Sequence, residues 1–265
     1  MNTVTAISPV SADTPGQTPS YQDRRRSRQA PKPASALKQS LTWLCLVAAL
    51  GLLLIAGEML LAGLASYRTG LALQRWVNVG QAPTEQTWQT TLAAAKMANR
   101  FYPVNSGTYH DQQGQVQAWR AFSLGPSEPQ SVQAQHAALE AYRQAILARP
   151  TWPNTWARLA HSKYLLGQFD NEFAYALEQA NQLGPYRPQV QFELANIGLR
   201  AWLNLTSKQR SSALSSIRKT LSSSNADATR LFAVAQSTGL EKMLCDRAAY
   251  DLDGIRKLCK RGGNL

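Results

Sequence analysis

Lys163 is the residue whose position most suggests binding chemistry, because it interrupts an apolar stripe. It lies seven residues after Trp156, in a segment whose spacing predicts a helix with one buried face. One interpretation is structural: Tyr164 fills the apolar position instead, or the lysine stem packs inward and its ammonium reaches Asp170 or Glu172 across the next turn. The other is functional: a cation in a groove that meets an anionic glycan or a partner carboxylate.

Three aromatic residues join Lys163 in the candidate binding groove. They are Trp152, Trp156 and Tyr186. Stacked helix pairs leave an extended concave surface, which is where such a groove would lie. The sequence leaves open whether the groove binds protein or glycan.

Cys245 and Cys259 form a candidate disulfide. They lie 14 residues apart, and a turn at Asp251–Gly254 between two short helices would bring their Cα atoms within the ~4.4–6.8 Å that a bridge needs. Such a pair tends to be bridged in an oxidising compartment, where it would pin the terminal helices onto the rest of the domain. Two small buried thiols are the alternative. Cys45 lies in the apolar segment described below and is a poor partner.

Catalytic, metal and cofactor sites are not predicted. The three histidines, His110, His136 and His161, lack the spacing to Cys, Asp or Glu that ligands or a general base would show. The sequence has neither a Gly-rich phosphate loop nor a Gly-x-Ser-x-Gly elbow. The neighbouring Asp251 and Asp253 are expected to cap a helix. We therefore expect a protein that is not an enzyme and carries no cofactor.

The longest apolar run, LTWLCLVAALGLLLIAGEMLLAGLA over residues 41–65, contains one charged residue, Glu58. At about 1.5 Å per residue it reaches roughly 37 Å as a helix, which exceeds the ~30 Å hydrocarbon core of a bilayer. It predicts a transmembrane helix over residues 41–66, with cleavage after Gly63-Leu64-Ala65 as the alternative. Glu58 would lie near the outer interface, either as an interfacial carboxylate or in contact with another membrane helix.

Flanking charge predicts the orientation of this helix in its membrane. Two basic residues, Arg68 and Arg75, closely follow the run, whereas six precede it: Arg24, Arg25, Arg26, Arg28, Lys32 and Lys38. The positive-inside rule then places residues 1–40 in the cytoplasm and residues 67–265 on the other side of the membrane. Residues 1–40 are rich in Ser, Thr, Pro and Gln, and we expect a disordered basic tail.

Positive charge continues into residues 67–265, which carry 22 basic and 13 acidic residues, or +9 of the net +12. Two clusters stand out, one formed by Lys208, Arg210, Arg218 and Lys219 and one by Arg256, Lys257, Lys260 and Arg261. They could attract acidic polysaccharide or anionic lipid headgroups, or they could form a solvated basic face. The predicted compartment excludes nucleic acid.

Apolar spacing in residues 67–265 is helical, and two segments share one pattern. In each, an apolar residue is followed by apolar residues four and seven positions on and by proline at twelve: Ala138, Tyr142, Ala145 and Pro150, then Phe173, Leu177, Ala180 and Pro185. The prolines lie 35 residues apart, close to the period of about 34 in tetratricopeptide repeats. We predict an all-α fold: a transmembrane helix followed by a tetratricopeptide-like domain, with an unrelated helical bundle as the alternative. Residues 104–129 are expected to mix an exposed loop with a short helix at 115–122.

The run RPTWPNTWARLAHSKYLLGQFDNEFAYALEQANQLGPYRPQVQ, residues 149–191, and GLRAWLNL, residues 198–205, resemble the VpsP-type polysaccharide biosynthesis proteins. The single N-terminal span and the cysteine-bearing C-terminal end are also similar to that family. The resemblance implies a part in the exopolysaccharide assembly systems of Gram-negative bacteria, and it indicates a pathway more than a mechanism.

These observations predict a membrane-anchored periplasmic scaffold that acts in exopolysaccharide biosynthesis or export. Its partners would be other polysaccharide synthesis or export proteins, held by the extended surface of the helical domain. Two alternatives remain open at this stage. One is a periplasmic chaperone-like assembly factor, and the other is a direct binder of anionic polysaccharide.

Overall fold

Helices joined by short turns make up the part of the chain that the structure describes. The computed structural model describes residues 36–126, 128–248 and 259, and no strand occurs among them. The helices are α1 (Ala36–Val79), α2 (Glu85–Phe101), α3 (Gly107–Leu124), α4 (Pro129–Ala148), α5 (Pro153–Leu165), α6 (Asn171–Leu183), α7 (Pro188–Arg200), α8 (Ser207–Ser223), α9 (Asn225–Ser237) and α10 (Glu241–Met243). A π-helical turn follows over Leu244–Ala248. The predicted all-α class is confirmed for these residues.

The apolar run lies in α1, a helix of 44 residues that continues well beyond the predicted end of the span at residue 66. It is the one helix among the described residues that is long and apolar enough to cross a membrane. The chain divides into two compact units, Met1–Leu53 and Leu54–Leu265. In the first unit the described apolar side chains are solvent-exposed, including Trp43 and Leu44. Most of the predicted tail, residues 1–35, lies outside the described residues.

The second unit begins with the remainder of α1, which packs on α2 and α3. Leu73 and Trp76 of α1 form a small apolar cluster with Leu92, Ala95 and Val116. The Ser66 hydroxyl donates to the Gln112 side chain at 2.8 Å, and ten residues later the Trp76 ring meets that of Trp119, with centroids 6.0 Å apart. The residue number increases along both helices from the first contact to the second, so α1 and α3 run in the same direction.

Successive helices from α2 to α7 are antiparallel, so their turns alternate between two ends of the unit. Arg149, after α4, donates to Thr108 at the start of α3 at 3.2 Å. Ser131, at the start of α4, donates to the Ala121 carbonyl near the end of α3 at 2.9 Å. The turns α2–α3, α4–α5 and α6–α7 therefore lie at one end, which we call the basic end, and the turns α3–α4 and α5–α6 lie at the opposite end.

Local sequence explains where these helices begin. Proline starts α4, α5 and α7, where its missing N–H costs no hydrogen bond. The carboxylate of Asp170 caps α6 by accepting from the Phe173 N–H at 3.0 Å. Thr206 and Gln209 form the capping box of α8. The cap of α9 is Ser224, whose hydroxyl accepts from the Asp227 N–H.

Residues 107–124 form one continuous helix, so the predicted loop with a short helix at 115–122 is wrong. The glycines that suggested a loop are there because α4 approaches closely. A Cβ at Gly114 would lie 2.5 Å from the Tyr142 ring, and one at Gly107 would lie 2.7 Å from Arg149 Cβ. Gly198 allows a similar close approach of α8, since a Cβ there would meet Ala213 at 2.6 Å.

Two apolar clusters hold the helix pairs together. The larger one joins α4 to α8 around Leu139, Trp156, Phe173 and Ile197. The residues of the shared offset pattern lie in it: Ala138, Tyr142, Phe173 and Ala180 are buried, and Leu177 packs against them. The smaller cluster joins α7, α8 and α9 and continues to Leu244.

Candidate functional site

A cleft of about 650 Å³ runs across α3, α5, α7 and α9 in the second unit. An adjoining cavity of about 360 Å³ shares its wall at Phe122, Arg158 and His161 and extends toward Arg200. Among the side chains that line the two are Trp119, Phe122, Arg158, His161, Glu193, Arg200 and Arg230. We call this surface the cleft. Every second helix contributes to it, because alternate helices in a stack of antiparallel pairs share one face.

Arg158 is anchored by a buried carboxylate. Its guanidinium lies 2.6 Å from Asp111, which is only 6% exposed. Asp111 also accepts from the Thr155 hydroxyl at 2.9 Å and from the Gln115 amide at 2.9 Å. Burial alone would lower the pKa of Arg158, but the charge and hydrogen bond of Asp111, together with Tyr142 and Glu193, outweigh burial and raise that pKa. The guanidinium is therefore charged and fixed in position at the cleft wall.

His161 and Glu193 form a second pair one turn further along α5. The Nδ1 atom of His161 contacts a carboxylate oxygen of Glu193 on α7. Burial lowers the pKa of His161, but the neighbouring Glu193 charge and hydrogen bond outweigh burial, so the pKa is raised. For Glu193 burial raises the pKa and His161 outweighs it, so the pKa is lowered. Both shifts favour the imidazolium–carboxylate pair.

Two exposed guanidinium groups extend the positive charge along the cleft. Arg200 donates to the Asn196 side-chain oxygen at 2.9 Å, so its hydrogen-bond partner is neutral. Arg230 lies 4.4 Å from the centre of the Phe192 ring and 3.3 Å from Asp227. With His161 protonated, this surface carries one positive charge in excess: the cations Arg158, His161, Arg200 and Arg230 against the carboxylates Asp111, Glu193 and Asp227.

Aromatic rings form the remaining wall of the cleft. Phe122 is 65% exposed and contacts the Trp119 ring edge-on, with centroids 5.4 Å apart. Tyr142 also borders the cleft, where burial raises its pKa, so that its hydroxyl stays protonated. Exposed rings beside cations suit acidic segments that also carry apolar groups.

The structure does not bring the four residues of the predicted groove together. Lys163 is 1% exposed, and its ammonium lies 2.8 Å from Asp170 and 2.6 Å from Glu172. Trp156 is buried in the core, where its indole N–H donates to the Pro150 carbonyl at 2.7 Å. The groove interpretation of Lys163 is therefore corrected, because an apolar stripe holds its stem and two carboxylates satisfy its charge.

Arg143 completes the ion cluster around Lys163. It binds Glu172 with two hydrogen bonds, of 2.8 Å from Nε and 2.7 Å from Nη2. The hydrogen bond from Arg143, with help from Lys163, lowers the pKa of Glu172 to about 2. For Asp170 burial raises the pKa, and the hydrogen bonds from Lys163 and the Phe173 N–H outweigh it and lower that pKa. This cluster joins α4, α5 and α6 and has a structural role.

The other two residues of the predicted groove lie at the basic end. Trp152 is half-buried between two guanidinium groups, with Arg149 at 4.3 Å and Arg187 at 4.8 Å from its ring centre. Tyr186 is 91% exposed. Neither residue borders the cleft described above.

The cleft residues were missed in the sequence because their partners lie in other helices. His161 and Glu193 are 32 residues apart, and Asp111 and Arg158 are 47 apart. The separation of His161 and Glu193 is close to the 35-residue offset between the two shared segments. This pair could have been found by comparing the residues at equivalent positions of successive helix pairs.

Two of the three cysteines form a disulfide at the C-terminal end of the described chain. Cys245 and Cys259 are joined by a disulfide with Cα atoms 5.9 Å apart, and both pack against the smaller apolar cluster. The predicted turn at Asp251–Gly254 and the second basic cluster lie outside the described residues. Cys45 is exposed on α1. Within the described residues no group of three or more His, Cys, Asp or Glu could hold a metal ion.

No protein-family model, no curated protein and no solved structure matches this chain.

Proposed function

We propose that this protein is a membrane-anchored adaptor whose helical domain binds an acidic segment of a partner protein in the cleft. The cleft carries the proposal: it crosses four helices and has exposed guanidinium groups beside exposed rings. A volume of about 650 Å³ falls within the range of about 300–1,000 Å³ that is usual for binding sites. The apolar helix α1 supplies the anchor.

Recognition suits the cleft better than catalysis, because its ionisable groups are held by one another. Asp111 holds Arg158, and Glu193 holds His161. Such pairs fix the charge and position of a guanidinium or imidazolium that a ligand carboxylate can meet on its exposed side. Arg200 and Arg230 then provide the net positive charge that attracts an acidic partner.

The setting we propose is the periplasmic face of a bacterial inner membrane, with residues 1–40 in the cytoplasm. The six cations before the span against two after it support this orientation. The resemblance of residues 149–205 to VpsP-type proteins supports a pathway, exopolysaccharide biosynthesis or export. The partners we propose are other proteins of that pathway, bound by a tetratricopeptide-like repeat.

A second candidate is direct binding of an anionic polysaccharide. Phe122, at 65% exposure, and Trp119 offer ring faces beside the guanidinium groups. Rings and cations together also suit a chain of negatively charged sugars. A chaperone-like assembly factor would use the same surface for unfolded clients.

Co-purification from native membranes tests the proposal. Wild-type protein should retain synthesis or export proteins, whereas Arg200→Glu combined with Arg230→Glu should lose them through charge repulsion. Lys208→Glu is the matched control, since Lys208 is exposed and lies outside the cleft. Recovery of polysaccharide without protein would favour the second candidate, and recovery of secreted or outer-membrane clients would favour the chaperone.

Thiol alkylation tests the compartment separately. Protein from intact membranes should resist labelling at Cys245 and Cys259 until it is reduced. Labelling of both cysteines without reduction would contradict the periplasmic placement while leaving the cleft proposal in place.

A further inference from the structure

Arginine, aromatic and apolar side chains lie along the basic end of the second unit. Arg149 contacts Thr108 at 3.2 Å and stacks on Trp152 at 4.3 Å. Arg187 stacks on the same ring at 4.8 Å. The row thus connects the turns α2–α3, α4–α5 and α6–α7. We call it the basic edge and define it as Arg100, Tyr102, Val104, Arg149, Trp152, Tyr186 and Arg187.

The composition of the basic edge is unusual for turns facing water. Tyr186 is 91% exposed and Val104 is 63% exposed. Residues 101–106, 149–152 and 184–187 contain no aspartate or glutamate. Arginine together with tyrosine and tryptophan is the composition of protein surfaces at the boundary between lipid headgroups and hydrocarbon.

The basic edge lies at the end of the second unit where α1 begins to pack on the other helices. Helices α1 and α3 run in the same direction, and Ser66 contacts Gln112. Leu61 lies five residues before Ser66, and Gly107 lies five residues before Gln112, each roughly 7.5 Å along its helix. Leu61 and Gly107 are therefore at about the same height. Leu54, Leu60 and Leu61 are 64%, 64% and 46% exposed, whereas Ala62 and Ala65 are buried. The α2–α3 turn therefore flanks the point where α1 begins to pack on the other helices of the second unit.

A bilayer would meet α1 at this same level. The predicted span covers residues 41–66, and about 20 helical residues suffice to cross the ~30 Å hydrocarbon core. Its outer end therefore lies between about Leu61 and Ser66, and a turn at that height lies at the outer interface of the bilayer.

We propose that the basic edge rests on the membrane in which α1 is anchored and binds the phosphates of anionic lipids. Arg100 and Arg187 are exposed and available to headgroup phosphates, and Tyr186 and Val104 enter the interface. This inference rests on the anchoring part of the proposed function and is independent of what the cleft binds. Its consequence is that the domain is held in a fixed orientation on the bilayer.

Fluorophore labels at three positions of the full-length protein test this contact. The native Cys45 reports on the anchor. In a Cys45→Ser background, Tyr186→Cys reports on the basic edge, and Leu203→Cys is the matched control because Leu203 is 87% exposed in the turn at the opposite end. The protein is reconstituted, without reductant, in nanodiscs of equal parts phosphatidylcholine and phosphatidylglycerol. A nitroxide on the lipid headgroup or high on the acyl chain is the quencher.

We expect strong quenching at positions 45 and 186 and little quenching at 203. Quenching at 45 with equal, weak quenching at 186 and 203 would overturn the membrane contact and leave the anchor intact. Strong quenching at both 186 and 203 would also overturn it, since the edge would then have no preference. Absence of quenching at 45 would mean that α1 does not insert, and the anchoring part of the proposed function would fail with the inference.

Charge variants test the lipid phosphates themselves. Quenching at position 186 should be at least twofold weaker in phosphatidylcholine alone, and Arg100→Gln with Arg187→Gln should remove most of that difference between lipids. Lys208→Gln should leave it unchanged, because Lys208 is 86% exposed but lies outside the basic edge. Equal quenching in both lipids would overturn the phosphate contact.

Discussion

The two sides of helix α5 carry charge for different purposes. On one side Lys163 is 1% exposed and its ammonium is bound by Asp170 and Glu172. On the other side the His161 side chain is 34% exposed at the cleft, paired with Glu193. The Lys163 ammonium is enclosed in a cluster that joins three helices, whereas part of the His161 side chain stays exposed at the cleft.

The comparison shows that a charge in an apolar stripe need not indicate a binding site. A buried ion pair adds little net stability over apolar packing, yet removal of one partner is costly. The Lys163 cluster therefore fixes how α4, α5 and α6 fit together. The cleft pairs fix the positions of charged groups at an open surface, which is what the proposed binding of an acidic segment requires.

The largest effect is expected from the core side of α5, at Trp156. Trp156→Ala should lower the free energy of unfolding by about 3–5 kcal/mol, because it empties the centre of the larger apolar cluster. The Pro150 carbonyl would also lose its 2.7 Å hydrogen bond. Urea unfolding of the detergent-solubilised protein measures the change. Tyr186→Ala, at an exposed position, should change stability by no more than about 0.5 kcal/mol. A loss at Trp156 below about 1 kcal/mol would contradict the packing described here.

The next largest effect is expected at Lys163. Lys163→Met keeps the packed stem but removes two charge-assisted hydrogen bonds, and it should cost about 1–3 kcal/mol. The lower part of that range is expected, since Asp170 is half-exposed and Glu172 keeps Arg143. Thermal unfolding measures the loss, and partner retention should be unchanged. If Lys163→Met kept its stability but no longer retained partners, Lys163 would have a binding role and the structural interpretation would be wrong.

The sequence predicted those features that depend on neighbours along the chain. Lys163 lies seven and nine residues from its two carboxylates, so its structural interpretation was available from spacing alone. The capping box at Thr206 and Gln209 and the shared offset pattern are similarly local. The all-α class followed from the period of the apolar residues.

The features that it did not predict depend on contacts between distant segments. Gly107 and Gly114 suggested a loop, but close approach of Arg149 and Tyr142 requires them inside a helix. Trp152 and Tyr186 were grouped with Lys163, although the antiparallel helices place them at the other end of the unit. The cleft pairs span 32 and 47 residues, so only the packed fold reveals them.

The smallest effect, and the sharpest test of the cleft side, is the pH dependence of the His161–Glu193 pair. The pKa of His161 is raised above its ordinary 6.5, so the stability that it contributes is complete below 6.5 and is lost as pH rises through the raised value. The pKa of Glu193 is lowered below 4.5, so its contribution is complete above 4.5 and is lost as pH falls through the lowered value. The pair thus stabilises the fold most between 4.5 and 6.5.

His161→Gln isolates this contribution, because glutamine keeps a hydrogen-bond donor without the titrating charge. Glu193 and Arg200 are the charged groups that act on His161. Near pH 5.5 wild type should exceed the variant by about 1 kcal/mol, the scale of a partly exposed ion pair, and the difference should shrink by about pH 9. Urea unfolding at both pH values measures it, with His136→Gln as a control at an exposed histidine. A difference that grows with pH would mean that His161 is neutral in the folded protein and that the cleft carries one cation fewer.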